Sequence, residues 1–216
     1  MKVINFGENN SLISQYMMEM RDAAVQRDPM RFRSNLRRTG EIMSYEISKT
    51  LNYKNVEITT PLAPCSCPVI ADRIVLGTIF RAGVPFHEGF LSFFDRAENA
   101  FVSAYRKYKE KENFDILIEY LASPRLDGKT LILCDPMLAT GASMELSYRA
   151  LLTKGTPAKV HLASVIASRQ AVDYLRGVMP DDACLWVGVI DPEINAHSYI
   201  VPGLGDAGDL AYGTKE

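Results

Sequence analysis

Apolar positions along the chain follow two different rhythms. Asp28-Pro29 reads as a helix start, because Asp can cap and Pro fits a first helical turn. Leu36, Met43, Ile47 and Leu51 follow with basic residues between them, so the first fifty residues read as helical. An extended stretch comes next around Val56-Glu57-Ile58. From residue 73 the rhythm shortens. Ile74 to Phe80 is a short apolar run compatible with a buried strand; it ends at Arg81-Ala82-Gly83, and a helical segment follows. The same unit recurs. Leu131-Ile132-Leu133-Cys134 predicts a strand ended by Asp135-Pro136, with a helix through Leu146 to Leu152. Val160 to Ala167 predicts another strand, with a helix at Gln170 to Arg176. Leu185 to Ile190 is the last run.

Strands that alternate with helices predict an α/β fold with a mostly parallel, doubly wound sheet flanked by helices. In such sheets ligands bind beyond the carboxyl ends of the strands. That rule points to Arg81-Ala82-Gly83, to Asp135 onward and to Asp191 onward. Tyr105 to Arg125 breaks the pattern: a charged start from Arg106 to Glu112 precedes the apolar Phe114 to Leu121. It reads as a mobile arm or small hairpin hood over the site. The expected organisation is one domain over 1–216, with a helical N-terminal segment at about 1–52, the arm at about 106–125 and a distinct tail at about 191–216. Within that tail, Pro202 to Asp209 carries three glycines and a proline in eight residues, which argues against a regular helix or central strand. Tyr199, Ile200, Val201 and Leu204 are interleaved with them. The mixture suits a tightly folded loop whose backbone approaches a ligand.

Composition narrows the classes. Of 216 residues, 47% are hydrophobic and 23% charged, an ordinary globular balance. Lys plus Arg total 24 against 26 Asp plus Glu, so a net charge of −2 leaves no electrostatic footprint for stable nucleic-acid binding. No apolar stretch is long enough to span a bilayer, and the N-terminus lacks the core of a signal peptide, so no membrane partner is expected. Cys134 and Cys184 sit in apolar runs as small hydrophobes. Cys65-Ser66-Cys67 has one intervening residue, a poor match to zinc spacing, and reads as plain loop. This usage points to a reducing, cytoplasmic compartment. Arg31, Arg33, Arg37 and Arg38 read as a solvated helix face, with a subunit contact or effector site as the alternative.

The segment Asp135-Pro136-Met137-Leu138-Ala139-Thr140-Gly141-Ala142-Ser143 lies where a strand turns into a helix. Its small residues let backbone N–H groups converge on an anion at the positive end of the helix dipole, and Thr140 and Ser143 add hydroxyls. No Lys follows the Gly, so it is not a P-loop. Asp135 suits sugar hydroxyls better than phosphate. By itself the segment indicates only a phosphosugar, with an ordinary capped helix start as the alternative. Of the three histidines, His87, His161 and His197, the last is the tempting general base. A lone His brings no orienting partner, so it reads as structural.

The same loop resembles the phosphoribosyl diphosphate (PRPP) loop of type I phosphoribosyltransferases, and in its Asp-Pro form that of the uracil phosphoribosyltransferase family. Most type I relatives carry two acidic residues there; Pro136 in the second place is typical of the uracil enzymes. The tail resembles that family's uracil-binding loop, through Asn195, His197 and the run Tyr199 to Asp209. Arg81-Ala82-Gly83, Tyr105-Arg106 and Arg31-Phe32-Arg33 also match. The resemblance spans about residue 28 to the end, departing at Lys107-Tyr108-Lys109, where many relatives are acidic.

The resemblance implies transfer of phosphoribose from PRPP to uracil, giving UMP and diphosphate. It implies PRPP contacts from Arg81, Arg106, Asp135, Pro136, Met137, Leu138, Ala139, Thr140, Gly141, Ala142, Ser143 and Asp206. Asp135 would take the ribose hydroxyls, and 138–143 the 5′-phosphate. It implies uracil contacts from Ile200, Gly205, Asp206 and Ala207. Mg²⁺ is implied as cofactor, carried mainly by PRPP and water with no direct protein ligand. A homodimer or larger homo-oligomer is implied, with GTP a candidate activator. Two alternatives stand beside this reading: an RNA-binding pyrimidine attenuation regulator of the same fold, and a phosphoribosyltransferase for another base.

Overall fold

The computed structural model describes residues 1–108 and 114–215, and side chains outside 104–118. The elements are β1 (Lys2–Asn5), α1 (Leu12–Arg21), α2 (Pro29–Ser48), β2 (Tyr53–Thr59), β3 (Pro64–Ile70), β4 (Ile74–Phe80), α3 (Gly83–Leu91), β5 (Glu98–Tyr108) and β6 (Phe114–Ala122). Then come β7 (Thr130–Cys134), β8 (Met137–Leu138), α4 (Ala142–Leu151), β9 (Lys159–Ser168), α5 (Arg169–Val178), β10 (Cys184–Asp191), β11 (Glu193–Ile194), β12 (Ile200–Val201) and α6 (Ala207–Tyr212).

The main sheet runs β1-β10-β9-β7-β4-β5-β6, with β8 pairing beside β9. Every pair is parallel except β5 with β6. Alternate residues of the inner strands feed two separate cores. Leu76, Ile132, Cys134, Ala163 and Trp186 pack with Met17 of α1, Leu36 and Met43 of α2, and Phe86 and Phe90 of α3. Val75, Leu131, Leu133, Leu162 and Leu185 pack with Met144 and Leu151 of α4, and Val172 and Leu175 of α5. Burial on both faces explains why these strands are unbroken apolar runs in the sequence. The expected doubly wound architecture is present.

Four expectations need correction. Lys2–Asn5 is an edge strand rather than helix, held by parallel pairing with Cys184–Val187; only Val3 and Ile4 mark it, too little for a periodic signal. Cys65-Ser66-Cys67 lies in β3, which pairs antiparallel with β2, rather than in a loop. This hairpin is largely exposed on both faces, so no alternation reveals it. A short helix, α6, begins at Ala207, inside the tail segment expected to be irregular. Among the arginines of α2, Arg31, Arg37 and Arg38 are exposed as expected, Arg31 pairing with Glu19 at 3.1 Å, but Arg33 is half-buried and donates to the Ala211 carbonyl at 2.6 Å. The arm expected at about 106–125 holds β6 and only the last residues of β5, whose antiparallel pairing starts earlier, at Phe101 opposite Ala122, and sets Arg106 opposite Ile116. Its residues 109–113 lie outside the described residues, as does the Arg106 side chain.

Asp28 caps α2 by accepting from Met30 N at 2.9 Å and Arg31 N at 3.1 Å, with Pro29 in the first turn as expected. Helices α2 and α3 then approach through two glycines. A Cβ on Gly89 would lie 2.1 Å from the Arg37 carbonyl oxygen, and one on Gly40 would lie 2.4 Å from that of Phe86. Backbone cannot yield as a flexible side chain can, so this helix pair depends on the missing Cβ atoms.

Under the sheet, the Trp186 indole N–H donates to His161 Nδ1 at 3.1 Å, while His161 Nε2 is buried with no partner among the described residues. The ring is therefore the neutral Nε2–H tautomer. Burial, aided by the Lys159 charge and opposed by Asp72, pushes its pKa down to about 4. Protonation at Nδ1 would also set two donors against each other.

Two outcomes follow. Gly89→Ala is expected to cost about 2 kcal/mol and lower the thermal midpoint by about 5 °C, measured by calorimetry. Because the folded His161 pKa lies below its unfolded value, the unfolded chain binds more protons between pH 6.5 and about 4. Stability is full above that window and falls as pH drops through it. In urea titrations, His161→Gln, which keeps an acceptor for the indole, loses less stability between about pH 7 and about pH 4.5 than the parent does.

Candidate active site

Strands β4 and β7 lie side by side, but the chain leaves them in opposite directions. From β4 it passes through α3 on one face to β5. From β7 it passes through α4 on the other face to β9. Such a divergence opens a crevice at the carboxyl ends of the strands. A cavity of about 560 Å³ occupies it. Its walls are residues 79–82 after β4; Asp135, residues 137–141, Ser143 and Met144 after β7; and His197, Ser198, Tyr199, residues 206–209 and Lys215 from the tail.

The β7–α4 loop is fixed from behind. The Pro136 carbonyl accepts from Val165 N at 3.1 Å and Ile166 N at 3.0 Å. The Ser168 hydroxyl donates to the Ala139 carbonyl at 2.6 Å and accepts from Ala171 N at 2.9 Å. Gly141 has φ +82°, and a Cβ there would sit 3.1 Å from side-chain atoms of Tyr174 and Leu175. The left-handed conformation favours glycine, and a Cβ would also press these neighbours outward by a few tenths of an ångström. The Tyr174 hydroxyl donates to the Glu145 carboxylate, which also pairs with Arg149 at 2.7 Å. The tyrosine hydrogen bond, then Arg149, hold the Glu145 carboxyl below the usual range against the effect of burial.

On the cavity side, the N–H groups of Thr140, Gly141, Ser143 and Met144 have no acceptor among the described residues. They stand at the first turn of α4, where the helix dipole is positive, and together can bind an anion. Asp135 closes the strand end and accepts from Met137 N at 3.2 Å.

The tail folds onto this loop. Asp191, buried at the end of β10, uses one oxygen for Arg21 at 2.6 Å and the other to accept from Gly203 N at 2.9 Å. Asp206 caps α6, accepting from Asp209 N at 3.0 Å. The Asp209 carboxylate pairs with Arg81 at 2.9 Å, and Arg81 also donates to the Gly213 carbonyl at 3.2 Å. Arg33 holds the Ala211 carbonyl from α2. Ala207 N–H rests 3.3 Å from Met137 Sδ, a weak acceptor.

Of the residues singled out from the sequence, Arg81, Asp135, Met137, Leu138, Ala139, Thr140, Gly141, Ser143, Asp206 and Ala207 meet in the cavity wall. Pro136 and Ala142 belong to the same loop but do not line it. Ile200 is buried in the β11–β12 pair behind the wall, and Gly205, at φ +96°, leads the chain into Asp206. His197 stands at the rim and is exposed. Sequence reading missed the side-chain roles of Ser168, Asp191, Arg33 and Asp209. The first two end predicted strands and were visible as polar terminators; the others act only through distant partners.

Gly203 has φ +64°, and a Cβ there would come 2.0 Å from the Ile200 carbonyl oxygen. Gly203→Ala is expected to displace the tail while the sheet stays folded. Proteolysis within residues 195–216 should accelerate about tenfold or more, with the far-ultraviolet dichroism of the parent retained.

The comparisons agree with this geometry. A model of the family described as uracil phosphoribosyltransferase matches residues 8–214. A uracil phosphoribosyltransferase of Porphyromonas gingivalis is 61% identical over 215 residues, covering 100% of both chains. One from Methanothermobacter thermautotrophicus is 38% identical, covering 95% of this chain and 93% of its own. A solved protein of Aquifex aeolicus superposes with a TM-score of 0.87 at 28% identity, covering 98% of each chain. With a glycine-bearing strand-to-helix loop, a folded-over tail and full-length relatives all in agreement, the chain belongs to the uracil phosphoribosyltransferase family of enzymes.

Proposed function

We propose that the chain transfers the 5-phosphoribosyl group of PRPP to N1 of uracil, yielding UMP and diphosphate. One observation carries this reading: a loop rich in unclaimed N–H groups and a glycine-rich tail line the same cavity. The bond from the anomeric carbon to the diphosphate oxygen breaks, the bond to N1 forms, and N1 gives up its proton. Charge develops on the leaving diphosphate and on an oxocarbenium-like ribose.

In this reading the N–H groups of 140–144 and the hydroxyls of Thr140 and Ser143 take the 5′-phosphate. Asp135 accepts from the ribose hydroxyls. Arg81 and Arg106 donate to the diphosphate, the stronger for being charged. Uracil presents an acceptor at O4 and a donor at N3, and tail backbone at Ile200, Gly205 and Ala207 supplies the complement. Cytosine reverses both groups and would leave buried partners unsatisfied. A uracil carbonyl would outcompete the Met137 thioether for the Ala207 N–H. Asp206, which lines the cavity and caps α6, is assigned a contact to each substrate.

No group of three or more His, Cys, Asp or Glu is placed to hold a metal ion among the described residues. A hard cation held there would keep mainly water and ligand oxygens around it. Mg²⁺ bound with PRPP would neutralise the leaving diphosphate. A homo-oligomer, GTP activation and a cytoplasmic setting belong to the same reading. No helix among the described residues is long and apolar enough to cross a membrane.

Protein, PRPP, Mg²⁺ and radiolabelled uracil should yield UMP, with uracil label uncompeted by cytosine, hypoxanthine or orotate. Absence of UMP from folded protein sinks the reading. Asp135→Asn should raise the KM for PRPP about tenfold or more at unchanged thermal stability. Kinetics equal to those of the parent would remove Asp135 from the ribose.

A further inference from the structure

We infer that Ser168 is a positioning residue for the anion loop, acting through the Ala139 peptide. Ser168 ends β9 and is fully buried, so it cannot touch a ligand in the cavity. Its hydroxyl makes two bonds of opposite sense. The oxygen accepts from Ala171 N at 2.9 Å and so caps α5. The proton goes to the Ala139 carbonyl at 2.6 Å, from an element 29 residues away.

The second bond fixes a direction. A peptide group is planar, and in its trans form the C=O and the following N–H point oppositely. The only cis peptides among the described residues are Phe80-Arg81 and Val201-Pro202, so the bond from Ala139 to Thr140 is trans. A carbonyl drawn back onto Ser168 therefore turns the Thr140 N–H away from the protein interior, toward the cavity that Ala139 and Thr140 line. That N–H has no acceptor among the described residues. Preorganised donors contribute to binding because their orientation is settled before the anion arrives.

The neighbouring contacts support the assignment. Helix α5, which Ser168 caps, places the Tyr174 and Leu175 side chains against Gly141, and Tyr174 bonds Glu145 of α4. One end of α5 thus sets the loop peptide, and its next turn sets the glycine and the helix that follow. Without the Ser168 proton the Ala139 carbonyl would be buried without its donor, and the peptide would be free to rotate. The inference rests on the anion-loop reading of 138–143 given above, but not on uracil being the acceptor.

The test compares Ser168→Ala and Ser168→Thr with the parent, and uses Ser11→Ala as a control. Ser11 caps α1 in the same way, accepting from Ile13 N at 3.2 Å, and does not line the cavity. Calorimetric titration with ribose 5-phosphate reads the loop independently of turnover. Ser168→Ala is expected to weaken that binding about tenfold, equivalent to about 1.4 kcal/mol. The KM for PRPP should rise by a similar factor, with kcat at saturating PRPP changed less than about threefold. Ser168→Thr, which keeps both the cap and the donor, should recover most of the loss. Ser11→Ala should lower the thermal midpoint and leave ribose 5-phosphate binding unchanged. If Ser168→Ala does not fold, Ser168→Cys, whose thiol is a poor donor to the same carbonyl, carries the same measurements. Binding within about twofold of the parent by the folded variant overturns the inference. Parent protein that binds ribose 5-phosphate but makes no UMP would instead remove the uracil reaction while leaving the Ser168 result to stand or fall on its own.

Discussion

The inner strands are buried on both faces, and that single constraint decides where chemistry can occur. Leu131, Ile132, Leu133 and Cys134 have no solvent exposure, with helices on either side. A polar group inside those strands must find its partner within the protein, as His161 does in Trp186, so atoms open to a ligand are confined to the points where strands stop. Because β4 and β7 send their chains to opposite faces, the two stops diverge and leave room between them. Phe80 to Ala82 and Asp135 to Met144 are the ends so exposed, and the cavity is the gap.

What keeps that gap a defined shape is a set of polar strand terminators. Asp135, Ser168 and Asp191 each close an apolar run, and each spends side-chain oxygens on backbone N–H groups. Asp191 fixes Gly203, and Ser168 fixes Ala139. The tail adds a charged clasp, with Arg81 reaching Asp209 and Arg33 reaching the Ala211 carbonyl. Arg81 thus lines the cavity already paired with a tail carboxylate, in the position where the proposed reaction brings a polyanion.

Much of this was legible from residue order. The Ile74 to Phe80, Leu131 to Cys134 and Leu185 to Ile190 runs appear as strands within a residue or so, since burial on two faces writes itself as continuous apolar sequence. The loop was legible because glycine at positive φ and small residues beside it leave a chemical signature at Gly141. Three features were not. Lys2–Asn5 becomes a strand only by pairing with β10, a tertiary effect. The β2–β3 hairpin faces solvent on both sides and has no alternation to detect. Helix α6 begins after a glycine-rich stretch whose composition argues for coil, and it is held by Asp206 capping and by distant arginines. Local pattern carries information about burial, not about which remote side chain will arrive to satisfy a carbonyl.

The Trp186–His161 contact has a consequence of another kind. Trp186 is the one tryptophan in the chain, and it is 3% exposed, stacked near Phe6 and hydrogen-bonded to a neutral imidazole. All of the protein's indole emission therefore originates from one spot beneath β9 and β10, on the face that α1 and α2 cover. The molecule carries its own fluorescent gauge of that interface. A change in its signal reports the parting of helices from sheet at that one spot.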